Sequence, residues 1–121
     1  MKRILVADDE VHIVRILRFN LERANYQVIT ASNGEEAYQV AVRERPDLIF
    51  LDVMMPKIDG YQVCRMLREE AGLKDIPIIM LTAKGQESDE EMGRAVGANL
   101  YMTKPFSPKE LIEKIKELIG N

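Results

Sequence analysis

The sequence has little of several residue types, and each scarcity excludes a class of protein. It holds one cysteine, Cys64, which excludes an internal disulfide framework and a zinc site built from several cysteines. No apolar run approaches the ~20 residues that cross a bilayer, and we expect no secretory leader. Basic residues are not in excess, because 17 Lys and Arg stand against 20 Asp and Glu. We therefore expect a cytoplasmic protein without direct contact to nucleic acid or membrane.

The composition that remains is that of a small folded domain. The chain has 121 residues, of which 46% are hydrophobic and 31% are charged. This hydrophobic fraction can build one core, and the length leaves no room for a second. We expect a single domain over residues 1–121, so an effector domain would have to lie in another protein or in a segment beyond this sequence.

Five short apolar runs predict the strands. Each run is four residues long, several are rich in β-branched residues, and none alternates cleanly with polar positions, which is typical of parallel strands buried on both faces. The predicted strands span residues 4–7, 28–31, 48–51, 78–81 and 99–102.

Five segments with helical periodicity follow the five strands in turn. Their apolar residues recur at the spacing of one helix face, and the second, fourth and fifth begin with Asn33, Ser88 and Ser107, each followed three positions later by Glu. The predicted helices span residues 11–24, 34–44, 60–71, 88–96 and 108–119.

Strict alternation of strands and helices predicts an α/β fold with helices on both faces of a parallel sheet. Five strands are too few for a closed eight-stranded barrel. We therefore expect a doubly wound, flavodoxin-like sheet with strand order 2-1-3-4-5. In that order ligands bind at the carboxyl ends of strands 1 and 3, where the winding reverses.

Polar residues follow four of the five predicted strands, at the edge of the sheet where a ligand would bind. They are Asp8, Asp9 and Glu10 after strand 1, Asp52 after strand 3, Thr82 after strand 4 and Lys104 after strand 5. Neighbouring carboxylates repel one another unless a cation lies among them. A hard divalent cation, Mg²⁺ before Ca²⁺, would remove that repulsion, and Lys104 would supply a second positive charge.

With a cation present, Asp52 has the chemistry of a carboxylate nucleophile that forms an aspartyl phosphate. The cation and Lys104 would balance the charge of the transferring oxygens, and the Thr82 hydroxyl could donate a hydrogen bond to one of them.

Several motifs in a fixed order resemble the receiver domain of two-component response regulators, over essentially the whole chain. They are Ile4-Leu5-Val6-Ala7-Asp8-Asp9-Glu10, Leu51-Asp52-Val53-Met54-Met55-Pro56 with Asp59-Gly60, Leu81-Thr82-Ala83, Gly97-Ala98 and Lys104-Pro105-Phe106. The resemblance implies a flavodoxin-like (CheY-like) fold and a role in phosphorelay signal transduction.

The resemblance also implies a role for each matching residue at the site. Asp52 would be the phosphoacceptor. Asp9, Asp52 and the backbone carbonyl of Met54 would hold Mg²⁺, while Asp8 would act on the metal mainly through water. Thr82 and Lys104 would be the hydroxyl and ammonium that respond to the phosphoryl group.

The family resemblance further implies a conformational switch. A phosphoryl group on Asp52 would draw Thr82 and Lys104 inward, and Tyr101 would turn into the space that Thr82 leaves. The change would reach a surface made of the predicted fourth helix, the fifth strand and the fifth helix.

By the same resemblance, a sensor histidine kinase or a histidine phosphotransfer protein donates the phosphoryl group, and a downstream effector protein or domain receives the signal. The chain would not be a conventional enzyme, because it would catalyse only its own phosphorylation and dephosphorylation. Neither Met54 nor Lys84 could orient an attacking water, so we expect slow self-dephosphorylation.

Three alternatives remain open from the sequence. A degenerate receiver could act only as a docking module, although every expected site residue is present. A flavodoxin-like nucleotide or flavin binder would need glycines and hydroxyls after strand 1, where this chain has Asp8, Asp9 and Glu10. A phosphatase with an aspartate nucleophile of the haloacid-dehalogenase type would carry that aspartate after strand 1, whereas Asp52 follows strand 3.

Overall fold

The computed structural model describes residues 1–83 and 96–120. Within them the chain forms five strands and four helices. The strands are β1 (Arg3–Ala7), β2 (Gln27–Ala31), β3 (Leu48–Asp52), β4 (Ile78–Ala83) and β5 (Leu100–Lys104). The helices are α1 (Val11–Arg23), α2 (Gly34–Glu44), α3 (Gly60–Glu69) and α4 (Pro108–Ile119).

The five strands form one parallel sheet in the order β2-β1-β3-β4-β5. This order confirms the prediction made from strand–helix alternation. Four predicted helices are confirmed to within two residues at each end. The predicted helix over residues 88–96 falls almost wholly on residues 84–95, which lie outside the described residues, so a fifth helix stays a prediction.

Two hydrophobic clusters cover the two faces of the sheet. On one face Leu5, Ala7, Ile49 and Leu51 pack with buried residues of α2 and α3. On the other face the alternate strand residues pack with buried residues of α1 and α4; they are Ile4, Val6, Leu48 and Phe50. Since both faces are covered, the inner strands β1, β3 and β4 need continuous apolar runs, which the sequence shows, whereas the edge strands β2 and β5 are only partly buried.

The helix starts follow the local chemistry of their first residues. Asn33 accepts a hydrogen bond from the backbone N–H of Glu36 at 2.9 Å, and Ser107 accepts one from that of Glu110 at 3.0 Å. At the start of α3, Asp59 and Gln62 form a reciprocal capping box. These caps fix where each loop at the carboxyl edge of the sheet enters the next helix.

The strand ends differ from the prediction in a way that bears on the site. Asp52, Thr82 and Lys104 were expected just after their strands, but they lie within the ends of β3, β4 and β5. Asn99 was expected inside the fifth strand but precedes β5, because its side-chain oxygen accepts hydrogen bonds from Ile78 N–H and from Arg68. The sheet backbone therefore holds the three site residues directly.

No helix in the described ranges is long and apolar enough to cross a lipid bilayer.

Candidate functional site

Asp8 is the first residue after β1 and is held at the carboxyl edge of the sheet. Its backbone N–H donates to the carbonyl of Ala31 at 3.1 Å, which extends the pairing of β1 with β2. Its carboxylate is buried, with 1% of the residue exposed, and its Oδ1 accepts from the Glu10 backbone N–H at 2.9 Å. The turn into α1 therefore directs Asp8 inward.

Asp52 ends β3, the strand next to β1, and pairs in register with Leu81 of β4. The residue is 5% exposed, and its Oδ1 accepts a weak hydrogen bond from Met54 N–H at 3.3 Å. Behind it the chain approaches so closely that a Cβ on Gly60 would lie 2.3 Å from the Asp52 carbonyl oxygen. Only glycine fits there, so Gly60 lets α3 pack directly against the backbone of Asp52.

Lys104, at the end of β5, places its ammonium among the acidic side chains. Nζ lies 2.8 Å from Asp8 Oδ2, 3.0 Å from Glu10 Oε1 and 3.4 Å from Asp52 Oδ1. The Lys104 side chain is 13% exposed, so these ion pairs are shielded from water on most sides. The peptide bond between Lys104 and Pro105 is cis.

Burial and the neighbouring charges shift the pKa values of Asp52 and Lys104. Burial, and then the charge of Asp8, raise the pKa of Asp52 to about 7, although Lys104 and the Met54 N–H act in the opposite direction. Burial lowers the pKa of Lys104, but the contacts with Asp8 and Glu10 and the charge of Asp52 outweigh it, so that pKa is raised overall. Asp52 thus holds a proton more tightly than an ordinary aspartate does.

Among the described residues, Asp8, Glu10 and Asp52 form a group whose carboxylate oxygens lie within 4.8 Å of one another. Asp9, a metal ligand by the family resemblance, is not in this group. It is exposed and lines a cavity of about 330 Å³ together with Asp8, Thr30 and other residues. Asp8 lies in the group, and its expected action on the metal through water stays a prediction.

Glu10 also lies in this acidic group, although the family resemblance implies no role for it. The signal for it was present, because Glu10 is the third acidic residue in the run that follows β1. Its proximity to Asp52 depends on the first turn of α1 and on Lys104, which is 94 residues away along the chain.

The remaining predicted residues lie around this group. Thr82 is buried and pairs with Thr103 of β5, one residue beyond the Asp52–Leu81 pair. Tyr101 is half-buried and packs against the cluster that α2 and α3 cover. The Met54 side chain is exposed, with 65% of the residue accessible. The topology therefore brings Asp8, Asp52, Thr82 and Lys104 to one edge, as predicted.

The donor set fits a divalent cation. Asp8 Oδ2 is buried and receives no well-directed hydrogen bond from any residue in the described ranges, although the Lys104 ammonium is near. Three carboxylates against one ammonium leave the group short of positive charge. Carboxylate oxygens are the ligands that hard cations such as Mg²⁺ prefer, so a cation here would balance the charge of the group and offer Asp8 Oδ2 a second positive partner beside Lys104.

Comparison with known proteins agrees with this geometry. The family model of the response regulator receiver domain matches residues 4–116. The alkaline phosphatase synthesis transcriptional regulatory protein PhoP of Bacillus subtilis is 54% identical over 118 residues, which are 98% of this chain and 48% of that protein. This chain thus spans about half the length of the curated relatives that it matches.

Solved structures share the fold over nearly their whole length. A protein described as a response regulator from Chloroflexus aurantiacus superposes with a TM-score of 0.95 at 38% identity, over 99% of this chain and 98% of that one. The receiver domain of a sensor histidine kinase from Pseudomonas aeruginosa, described with a magnesium ion coordinated in its active-site cleft, gives 0.92 at 32% identity, over 99% and 98%. This chain belongs to the family of response regulator receiver domains.

Proposed function

We propose that this receiver domain accepts a phosphoryl group on Asp52. The observation that carries the proposal is the buried Asp52 carboxylate, which lies at the switch between β1 and β3 with the Lys104 ammonium 3.4 Å away. A carboxylate oxygen of Asp52 would attack the phosphorus of a phosphohistidine. A phosphorus–oxygen bond then forms as the phosphorus–nitrogen bond breaks; the bonding electrons go to the imidazole nitrogen, which takes up a proton from water.

The proposed donor is a sensor histidine kinase or a histidine phosphotransfer protein, because receiver domains as a family work with such proteins. The proposed recipient of the signal is an effector domain or protein. PhoP is named a transcriptional regulatory protein and is about twice as long as this chain, which supports a role in controlling transcription. The setting that we propose is the cytoplasm.

The chain's own groups would stabilise the transferring phosphoryl group. Lys104 would direct N–H donors at its oxygens, and the buried Thr82 hydroxyl would donate to one of them. The ammonium already lies in the site, 3.4 Å from Asp52, but it would have to turn from Asp8 and Glu10 toward the arriving group. The same groups would act in hydrolysis, so the domain would catalyse changes to itself and would not be a conventional enzyme.

We propose Mg²⁺ as the cation of the site. Asp9, Asp52 and the backbone carbonyl of Met54 would hold it, and Asp8 would act on it mainly through water. Support comes from the acidic group itself and from the magnesium ion named for the Pseudomonas receiver domain. When bound, the cation supplies positive charge that offsets the carboxylates and the phosphoryl oxygens.

The proposed switch starts from the charge of the phosphoryl group, roughly −1.5 to −2 units. Thr82 and Lys104 would move toward it, and the half-buried ring of Tyr101 would turn inward. A Tyr101 ring signal that keeps its position in NMR spectra when a phosphate mimic binds Asp52 would contradict this switch. Part of the surface that would change falls on residues 84–95, outside the described residues.

Mass spectrometry tests the central proposal. The chain is incubated with acetyl phosphate and Mg²⁺, and we expect a mass increase of about 80 Da, one phosphoryl group. The Asp52→Asn variant should gain nothing, whereas Asp75→Asn, the same change at an exposed position, should gain the same mass as the natural chain. An adduct that survives Asp52→Asn would refute Asp52 as the phosphoacceptor.

A further inference from the structure

We propose that Glu10 is a positioning residue for Lys104. Its carboxylate holds the ammonium at the outer side of the site and so limits how readily Lys104 reaches a phosphoryl group arriving at Asp52. This inference rests on the proposed function, since it concerns the rate of the same transfer.

The Lys104 contacts give Glu10 this position. An ammonium has three N–H donors, and Nζ faces three carboxylates at 2.8 Å, 3.0 Å and 3.4 Å. Asp8 and Glu10 are the nearer two, and Asp52 is the farthest. The ammonium therefore lies nearer to Asp8 and Glu10 than to the residue that would carry the phosphoryl group.

The Glu10 side chain faces Lys104 through Oε1 at 3.0 Å and, more distantly, His12 Nε2 through Oε2 at 3.6 Å, and it does not cap α1. Glu10 is the N-cap of α1, a position where a short polar side chain would usually accept from the helix N–H groups. Within the described part of the chain, its side chain makes no such cap. Its backbone is fixed on both sides, since N–H donates to Asp8 at 2.9 Å and C=O accepts from Ile13 and Val14 at 3.1 Å.

Of its three carboxylate partners, Glu10 is the one that Lys104 can most readily give up for a phosphoryl group. Its side chain is 46% exposed, whereas those of Asp8 and Asp52 are buried, so a released Glu10 carboxylate regains water at little cost. The hydrogen bond and the charge of Lys104 lower the pKa of Glu10, so the contact with Lys104 favours its anionic form. A phosphoryl group on Asp52 would compete with this anion for the same ammonium.

Two substitutions separate the effect of the Glu10–Lys104 contact from the effect of the negative charge of Glu10. Glu10→Asp keeps the negative charge but shortens the side chain by one carbon–carbon bond, about 1.5 Å, so it no longer reaches Nζ. Glu10→Gln keeps the length and removes the charge. Glu22→Gln is the matched control, because Glu22 is exposed near the other end of α1 and the change in net charge is the same.

The first measurement is the rate of phosphoryl uptake as a function of acetyl phosphate concentration, at saturating Mg²⁺. We expect both Glu10 variants to raise the maximal rate roughly twofold to fivefold, the range of a partly exposed ion pair, with little change in the half-saturating concentration. Glu22→Gln should match the natural chain. A Glu10→Asp rate equal to that of the natural chain, or a slower one, would overturn the proposal.

A second measurement is independent of phosphoryl transfer. In the metal-free protein, NMR of ¹⁵N-labelled lysine ammonium groups should show faster hydrogen exchange for Lys104 in Glu10→Asp than in the natural chain. Unchanged exchange would refute the contact even if Asp52 is phosphorylated. If the natural chain takes up no phosphoryl group, the proposed function fails, while the exchange rates still decide whether Glu10 holds Lys104.

Discussion

The charged side chains at the two ends of the parallel sheet have different kinds of partner. At the amino end, Arg68 of α3 donates to the backbone carbonyls of Ile76 at 2.7 Å and Gly97 at 2.8 and 2.9 Å, and to Asn99 Oδ1 at 2.9 Å. At the carboxyl end, the described residues place three carboxylates around one ammonium, and Asp8 Oδ2 lacks a well-directed donor.

This difference separates stability from function within one fold. The amino end uses its cation to satisfy carbonyls of the loops that lead into β4 and β5, and such hydrogen bonds stabilise the fold. The carboxyl end keeps like charges close together, which costs stability but prepares the site for a cation and a phosphoryl group. Removing the charge of Asp52 at the carboxyl end should therefore raise the free energy of unfolding, and removing that of Arg68 at the amino end should lower it.

The largest effect is expected from Asp52→Asn, which should stabilise the metal-free protein. The folded-state pKa of Asp52 is about 7 and its ordinary value is 3.8. The folded state thus binds the proton more tightly, so the free energy of unfolding falls as pH rises from about 4 to about 7. The asparagine removes this loss, which is on the order of a few kcal/mol at pH 8.

Urea unfolding at pH 8 and at pH 4 checks this prediction. The advantage of Asp52→Asn should be large at pH 8, nearly absent at pH 4, and smaller at pH 8 when Mg²⁺ is added. Asp75→Asn, an exposed control, should show no such pH dependence. If Asp52→Asn were less stable than the natural chain at pH 8, the charge of Asp52 would stabilise the fold, as that of Arg68 does at the amino end.

The next effect is expected at the amino end, from Arg68→Met. Methionine fills the space of the arginine stem but donates no hydrogen bond, so the carbonyls of Ile76 and Gly97 lose their charged donor. The free energy of unfolding should fall by about 3 kcal/mol. The rate of phosphoryl uptake at Asp52 should not change, and Arg65→Met, at an exposed position of the same helix, should change neither quantity.

A smaller loss is expected from Gly60→Ala, which tests how the carboxyl end is built. The new Cβ would overlap the Asp52 carbonyl oxygen at 2.3 Å and contact Met80 Cε at 3.1 Å. Stability should fall by about 2 kcal/mol, and phosphoryl uptake should slow because Asp52 is displaced. Gly34→Ala, whose Cβ would meet the Ile58 carbonyl oxygen, should also destabilise but leave the uptake rate nearly unchanged. Equal slowing in both variants would show that α3 packing does not act through Asp52.

The sequence predicts the sheet well because burial on both faces imposes a simple pattern. Continuous runs such as 48–51 are typical of a parallel strand with helices on both sides, and the observed strand order is one of the doubly wound orders that the alternation favours. Convergence of Asp8, Asp52 and Lys104 is likewise a consequence of topology. The boundary of β5 was misplaced, because no propensity reveals that the Asn99 side chain accepts from Arg68, 31 residues away.

Side-chain geometry within the site could not be read from the sequence. Two adjacent aspartates follow β1, and which of them faces Asp52 depends on the torsion angles of the turn into α1. The structure turns Asp8 inward and leaves Asp9 exposed. The part played by Glu10 depends on the reach of Lys104 across the edge of the sheet. The orientation of the two aspartates and the contact of Glu10 with Lys104 depend on three-dimensional distances, which the sequence pattern does not give.

The smallest effect is expected from Glu44→Gln at the amino end. Glu44 Oε1 accepts from Arg3 Nη2 at 2.5 Å, and hydrogen bonds from Arg43 and Arg3 hold the pKa of Glu44 below its usual value. Both partners of the Arg3 pair are about one-third exposed, so water and salt screen it. Arg3 also keeps its contact with the Glu44 carbonyl at 2.6 Å after the substitution.

The free energy of unfolding of Glu44→Gln should therefore equal that of the natural chain within experimental error, in low salt and in high salt. Removing one negative charge at the carboxyl end changes stability strongly, because Asp52 is buried beside another carboxylate. The same removal at Glu44 changes it little, because its charge is hydrated and paired. A loss as large as that of Arg68→Met would show that ion pairs, and not hydrogen bonds to carbonyls, stabilise the amino end.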